Sequence, residues 1–224
     1  WGIKRTYSGS STCINRTAAM TGCLTAAPFS WKGDEYMAAS RLIPLHINKG
    51  KTIAQCLADR IDYFQNAEKT NGGEYISSYG CDSETANQEF LLSKRQYFQF
   101  TGRTQEHDMI AYQIRQSFKP GEITPEEANE IGYELAMRFT KRKHAFLVAT
   151  HIDKAHIHNH IIFNSTTLDC HRKFRDFKRS GLAVQHLRDM ICLENGKSVI
   201  QPKPYKERNK RTEYPKRSRH RDEI

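Results

Sequence analysis

Residues 145–165 read AFLVATHIDKAHIHNHIIFNS. Two apolar runs, 145–152 and 157–165, flank the short polar segment Asp153–His156, the pattern of two strands joined as a hairpin. Positions 151 to 160 hold four histidines and one aspartate. Side chains alternate faces along a strand, so His156, His158 and His160 share one side, with next-but-one neighbours roughly 6.5 Å apart. A tight turn at DKAH sets position 151 opposite position 158, and cross-strand partners point to the same side of a sheet. His151 then stands beside His158, and either His156 or His160 completes a set of three. Asp153 falls on the same face near the turn, where it can accept a ring N–H and fix a ligand's tautomer. Three neutral imidazoles around a divalent cation leave its double charge and an open coordination position, the arrangement of a Lewis acid acting on an anionic oxygen. The competing readings are a structural cluster and a pH-sensitive surface. A structural zinc site usually recruits cysteine, and Cys170 alone is near in sequence.

The rest of the chain supplies the frame for that hairpin. RLIPLHI (41–47) is a short apolar run that reads as a strand. In KTIAQCLADRIDYFQN (51–66), Ile53, Leu57, Ile61 and Phe64 recur at helical spacing and form one buried stripe. Tyr63 lies roughly 115° off that stripe and so flanks the core. Residues 66–107 are polar and glycine-bearing, with EYISSYGC (74–81) a possible strand. DMIAYQIRQSF (108–118) reads as a strand closed by Pro120 and Gly121. TPEEANEIGYELAMRF (124–139) reads as a helix with Thr124 as N-cap, Pro125 in the first turn, Glu127 completing a capping box, and Ala128, Ile131, Leu135 and Phe139 facing inward. A last helix runs from near Ser180 to Gly196. The order strand, helix, strand, helix, strand pair, helix predicts an α+β fold, a central antiparallel sheet with helices packed on one face.

Length and charge bound the function. A chain of 224 residues suits one domain, here 37–202. Residues 1–36 read as a poorly structured extension, with Met37 a candidate native start. Residues 203–224 read as a basic, mobile tail. The formal charge of +10 points to a polyanionic partner. No apolar run approaches the ~20 residues of a membrane span, and the N-terminal residues lack the apolar stretch of a leader, so a cytoplasmic protein without membrane insertion is expected. The six cysteines (13, 23, 56, 81, 170 and 192) form no C-x-x-C pair, which leaves reduced thiols as the expectation.

HIDKAHIHNH resembles the His-x-Asp-x4-His-x-His motif of the P-class mobilisation relaxases, within the HUH endonucleases. DYFQNAEKT resembles the family's nucleophile motif, and QSFKPGEITPEEANEIG its central strand–turn–helix; together they cover roughly 41–200 in the family's order. Asn159 stands where the family has a hydrophobic residue, and Ala67 where many members have proline. The resemblance implies an HUH relaxase fold and a site- and strand-specific nickase that cleaves single-stranded DNA at a transfer origin, keeping its 5′ end on tyrosine and initiating conjugative transfer. It assigns His151, His158 and His160 as metal ligands and Tyr63 as nucleophile; Asp153 and the metal itself are the candidates for helping that phenol lose its proton. It implies one divalent cation, magnesium or manganese, with zinc, cobalt and nickel also compatible with imidazole. Arg95, Arg103, Arg115, Arg172, Lys173 and His156 are the candidate DNA contacts. Accessory proteins of the origin complex and a coupling protein are the implied partners. Members often carry a long helical C-terminal region, so the chain is expected to be a piece of a longer one. The same chemistry serves rolling-circle replication initiators and single-strand transposases; the alternative of another class is a non-catalytic DNA-binding accessory with a structural metal. Among the other tyrosines, Tyr75, Tyr79, Tyr97 and Tyr112 are rivals to Tyr63 by composition alone.

Overall fold

The computed structural model describes residues 39–103 and 109–199. The expectations for 1–36 and 203–224 lie outside these residues. The described elements are β1 (Ala39–Leu45), α1 (Ile53–Phe64), β2 (Ile76–Tyr79), α2 (Ala86–Thr101), β3 (Ala111–Ser117), α3 (Pro125–Thr140), β4 (His144–His151), β5 (His158–Thr167) and α4 (Ser180–Glu194). The five strands form one sheet in the order β1-β3-β5-β4-β2, antiparallel at every pairing. The α+β class with a central antiparallel sheet is therefore the observed one. Pro44 sits on β1, an edge strand, the part of a sheet that tolerates a residue without an N–H.

Period-2 alternation divides the strands between two cores. Tyr112, Ile114, Phe146, Val148, Ile161 and Phe163 point to one face, against Ala128, Ile131 and Leu135 of α3 and Val184 and Ile191 of α4. Ala111, Leu147, Ala149 and Ile162 point to the other, against Leu57, Ile61 and Phe64 of α1 and Ala86 and Phe90 of α2. Helices cover both faces, which corrects the expectation of one. The strands of an antiparallel sheet buried on both sides need not show polar alternation, and β4 is buried at every position.

The second correction is α2, which falls in the stretch 66–107 read from sequence as polar and glycine-bearing with no helix. Its buried stripe is Ala86, Phe90, Lys94 and Tyr97, helical in spacing but broken by a lysine. Lys94 Nζ donates to Asn164 Oδ1 at 3.0 Å and Ser165 Oγ at 2.6 Å, so its burial is compensated by partners 70 residues away. The expected start of α3 is observed: Thr124 Oγ1 accepts from Glu127 N, and the Glu127 carboxylate accepts from Thr124 N. Thr52 and Gln55 make the same box at α1.

Behind the histidine hairpin lies a buried polar network. Asn159 is fully buried; its Nδ2 donates to the Ala128 carbonyl and Gln116 Oε1, while its Oδ1 accepts from Thr150 Oγ1. Asn129 Nδ2 continues it to Thr150 Oγ1 and the Tyr75 carbonyl. The polar residue between the last two histidines thus ties β3, β4 and β5 to α3 where an apolar side chain would only pack. Gly132 makes room for it: a Cβ there would meet Asn159 Nδ2 at 2.5 Å and Val148 Cγ1 at 3.0 Å. Gly132→Ala is expected to cost about 1–2 kcal/mol net, overpacking outweighing the helix-propensity gain, as read by urea unfolding.

Candidate active site

The hairpin register sets the site. His151 pairs with His158 across β4 and β5, and Ala149 with His160, as the alternation predicts. Ring centroids lie 4.4 Å apart for His151–His160, 5.2 Å for His151–His158 and 5.1 Å for His158–His160. One ring nitrogen from each of the three lies within 4.8 Å of the others, near enough that small side-chain rotations bring all three onto one ion at the roughly 2.0–2.1 Å of imidazole ligation. His156 precedes β5 and sits in the connecting loop, its ring 5.4 Å from that of His158.

Each imidazole of the triad has its other nitrogen engaged by the protein. His151 Nε2 donates to the Phe64 carbonyl at 3.0 Å, one of the last-turn carbonyls a helix cannot satisfy itself. His158 Nδ1 donates to the His156 carbonyl at 3.4 Å. The buried Gln113 carboxamide presents Nε2 2.8 Å from His160 Nδ1; turned over about its last side-chain bond, it would accept an Nδ1–H there and leave the His160 Nε2 for an ion. The Phe64 and His156 carbonyls, not Asp153, accept the ring N–H groups of His151 and His158. Asp153 Oδ1 lies instead 3.9 Å from His158 Nε2. Gln113 was not legible in the sequence; its position, two residues before Arg115 on the same strand face, emerges only with the strand order.

Burial makes the imidazoles resist protonation. It lowers the His158 pKa to about 4, with further depression from His151 and His156 against hydrogen bonding to the His156 carbonyl and the pull of Asp153. His160 is lowered to about 2, first by burial, then by His151, His158, Arg115 and Lys69. His151 shifts down for the same first reason. The donor set is therefore three neutral nitrogens with free lone pairs at neutral pH, which fits a divalent cation. Among the described residues, no cysteine joins them. Cys170 is buried and donates to Gln96 Oε1 at 3.2 Å. Cys56, Cys81, Cys170 and Cys192 are free thiols.

Tyr63 reaches this site from the last turn of α1. Its neighbour Phe64 is buried and stacks on His160 at 5.1 Å and 27°, so the helix end is gripped by ring and carbonyl together. Tyr63, 51% exposed, projects instead into the cleft, its ring centroid 6.4 Å from those of both His151 and His160. Lys69 Nζ sits 4.2 Å over the ring, a cation–π contact, and the Lys69 carbonyl accepts from Ile152 N at 3.0 Å. The loop after α1 is thereby pinned to the residue following His151. Of the rivals, Tyr97 and Tyr112 are buried, and among the described residues Tyr63 is the one tyrosine lining the cleft.

The cleft encloses about 450 Å³. Among the described residues, Arg41, Lys69, Arg115 and Lys154 line it against a single carboxylate, Asp153, a positive field for an anionic ligand. Arg41, Arg115 and His160 form one cross-strand row. Of the sequence candidates for DNA contact, Arg115 and His156 are in the cleft. Arg95 and Arg103 are exposed on and just beyond α2, and Arg172 and Lys173 follow β5. Sequence reading missed Arg41, Lys69 and Lys154; Lys69 stands in the quoted DYFQNAEKT, six residues after Tyr63, which was its available signal.

Sheet, histidine triad and adjoining tyrosine are together those of a nuclease domain of the relaxase kind. The family model of the MobA/VirD2-like relaxase nuclease domain matches residues 63–197, more than half of the chain, and the chain belongs to that family. Protein rlx of Staphylococcus aureus is 38% identical over 128 residues, 57% of this chain and 38% of that protein. The group II intron-interrupted relaxase LtrB of Lactococcus lactis subsp. cremoris is 29% identical over 202 residues, 75% of this chain and 36% of that one. A chain solved in work on the molecular basis of vancomycin resistance transfer in S. aureus aligns at a TM-score of 0.45 and 16% identity, covering 73% of this chain and 96% of that one. The chain spans well under half the length of these curated relatives.

Gln113→Leu is expected to weaken divalent-cation binding about 10- to 100-fold, measured by calorimetry. The metal-free protein should lose stability as pH falls from about 6.5 toward 4: the unfolded chain takes up protons on these histidines near their ordinary value while the folded chain, with lowered pKa values, does not. Urea midpoints across that range test the sign; a flat profile contradicts it.

Proposed function

We propose that this domain nicks one strand of single-stranded DNA at a transfer origin and holds the 5′ end covalently, initiating conjugative transfer. The observation that carries the reading is the exposed Tyr63 ring beside three clustered imidazoles in a positively lined cleft. The Tyr63 oxygen attacks a backbone phosphorus; the P–O bond to the 3′ oxygen breaks, and that oxygen leaves as a hydroxyl, taking its proton from solvent water. The product is a phosphotyrosine diester. Because the phosphotyrosyl bond is itself a phosphodiester and roughly retains the energy of the one broken, a 3′ hydroxyl can reverse the step and reseal the strand.

His151, His158 and His160 would hold the divalent cation. When bound it supplies Lewis-acid stabilisation of charge on the non-bridging oxygens. Magnesium or manganese suits the phosphate, and zinc, cobalt or nickel also suits imidazole. We assign Asp153, the one carboxylate among the described residues that line the cleft, as acceptor of the phenolic proton. Arg41 and Arg115 bind phosphates approaching along their row, with His156 at the loop, and Lys69 holds the Tyr63 ring in its attacking orientation. Arg95, Arg103, Arg172 and Lys173 are assigned to DNA outside the cleft. The resemblance to mobilisation relaxases adds accessory proteins and a coupling protein as partners, and a cytoplasmic site of action. Among the described residues, no helix is long and apolar enough to cross a membrane.

Tyr63→Phe tests the chemistry. With origin-derived single-stranded DNA and a divalent cation, wild type should give a covalent protein–DNA band on a denaturing gel, and the variant none, with nicking reduced at least about 10³-fold. Nicking that persists in Tyr63→Phe, or that proceeds in wild type without a covalent band, would contradict it.

A further inference from the structure

We propose that the opposite end of the sheet carries a second site for single-stranded DNA, separate from the nicking cleft. It rests on the reading of the domain as a DNA-binding one and names where a strand running beyond the cleft is held. The cleft lies at the His151 end of β4. The site lies at the His144 end, seven residue steps or roughly 23 Å away.

Two basic segments meet there. Arg142 and Lys143 leave α3 through a turn in which Lys141 and Arg142 adopt φ values of 54° and 60°. His171 and Arg172 belong to the loop after β5. Both segments are anchored to the end of β5: Leu168 N donates to the Lys143 carbonyl at 2.9 Å, and Thr167 N to the Arg172 carbonyl at 3.0 Å. Thr167 Oγ1 accepts from Arg172 N at 3.1 Å. The backbone of the cradle is thus fixed by the sheet, while the cationic ends border an open hollow of about 390 Å³. None of the ion pairs among the described residues involves Arg142, Lys143 or Arg172. Asp169, the one carboxylate among the described residues that line the hollow, is committed locally, accepting from Thr167 Oγ1 and from His171 N.

An aromatic platform borders this charge. Phe100, 60% exposed on α2, stacks on His171 with centroids 5.0 Å apart and planes 16° apart, which presents its other face to solvent. A rigid cationic cradle beside an exposed ring is the combination that holds single strands, phosphates by charge and bases by stacking. A duplex, its bases already stacked, has no use for the ring.

Fluorescence anisotropy with the full chain and an oligothymidine of about 30 nucleotides, long enough to occupy both places, tests this. The triple variant Arg142→Ser, Lys143→Ser, Arg172→Ser should bind at least about tenfold more weakly at ~0.1 M salt. Its slope of log K against log salt should fall by about 2, from three lost phosphate contacts at about 0.7 each. Phe100→Ala should lose about fivefold or more with the slope unchanged. Both sets are on the surface, and an unchanged thermal midpoint verifies folding. Wild-type affinity and slope retained in the triple variant would overturn the proposal, as would a wild type that binds no oligothymidine. Because binding is read directly, a chain that binds as described but does not nick would count against the reaction proposed above and leave the cradle supported.

Discussion

The site depends on one junction, the grip of the histidine hairpin on the end of α1. A helix leaves its last carbonyls without partners, and here the Phe64 carbonyl takes the Nε2–H of His151. The Phe64 ring stacks on His160. One residue thus fixes the tautomer of one imidazole and the plane of a second. Its neighbour in the chain, pointing about 100° away around the helix, is Tyr63. The exposed phenol and the imidazole cluster therefore move as one body, which is what proximity demands of a nucleophile and the charge that assists it.

The sheet behind that junction is unusually polar. Gln113 faces His160 on one side, while Gln116, Asn159, Thr150 and Asn129 form a buried chain on the other. Such groups cost free energy unless their hydrogen bonds are made, and once made they leave few alternative registers. A one-residue slip of β5 would bury the imidazoles in an apolar core and turn Ile161 toward the cleft. The polar network makes that slip costly from both faces, so the same interactions that define the fold define which histidines meet.

Much of this was legible in the sequence for a physical reason. Strand alternation and a short turn suffice to set His151 opposite His158, and a stripe of Ile53, Leu57, Ile61 and Phe64 suffices to push Tyr63 to the surface. Local geometry did not choose between His156 and His160; the family resemblance favoured His160, and the structure groups it with the other two because β5 begins at His158. What escaped were features made by distant segments. α2 hides behind Lys94, whose partners Asn164 and Ser165 are known only once the helix is folded onto β5. Arg41, Arg115 and His160 become neighbours only through the order β1-β3-β5-β4-β2, which no local pattern encodes.

The central claim is that the phenol nearest this triad becomes joined to DNA. The direct measurement is mass spectrometry of the protein–DNA adduct after nuclease and trypsin digestion. The account predicts a residual 5′-nucleotide on the peptide Ile61–Lys69, attached through Tyr63. A nucleotide on any other residue, or one attached through its 3′ end, would contradict it.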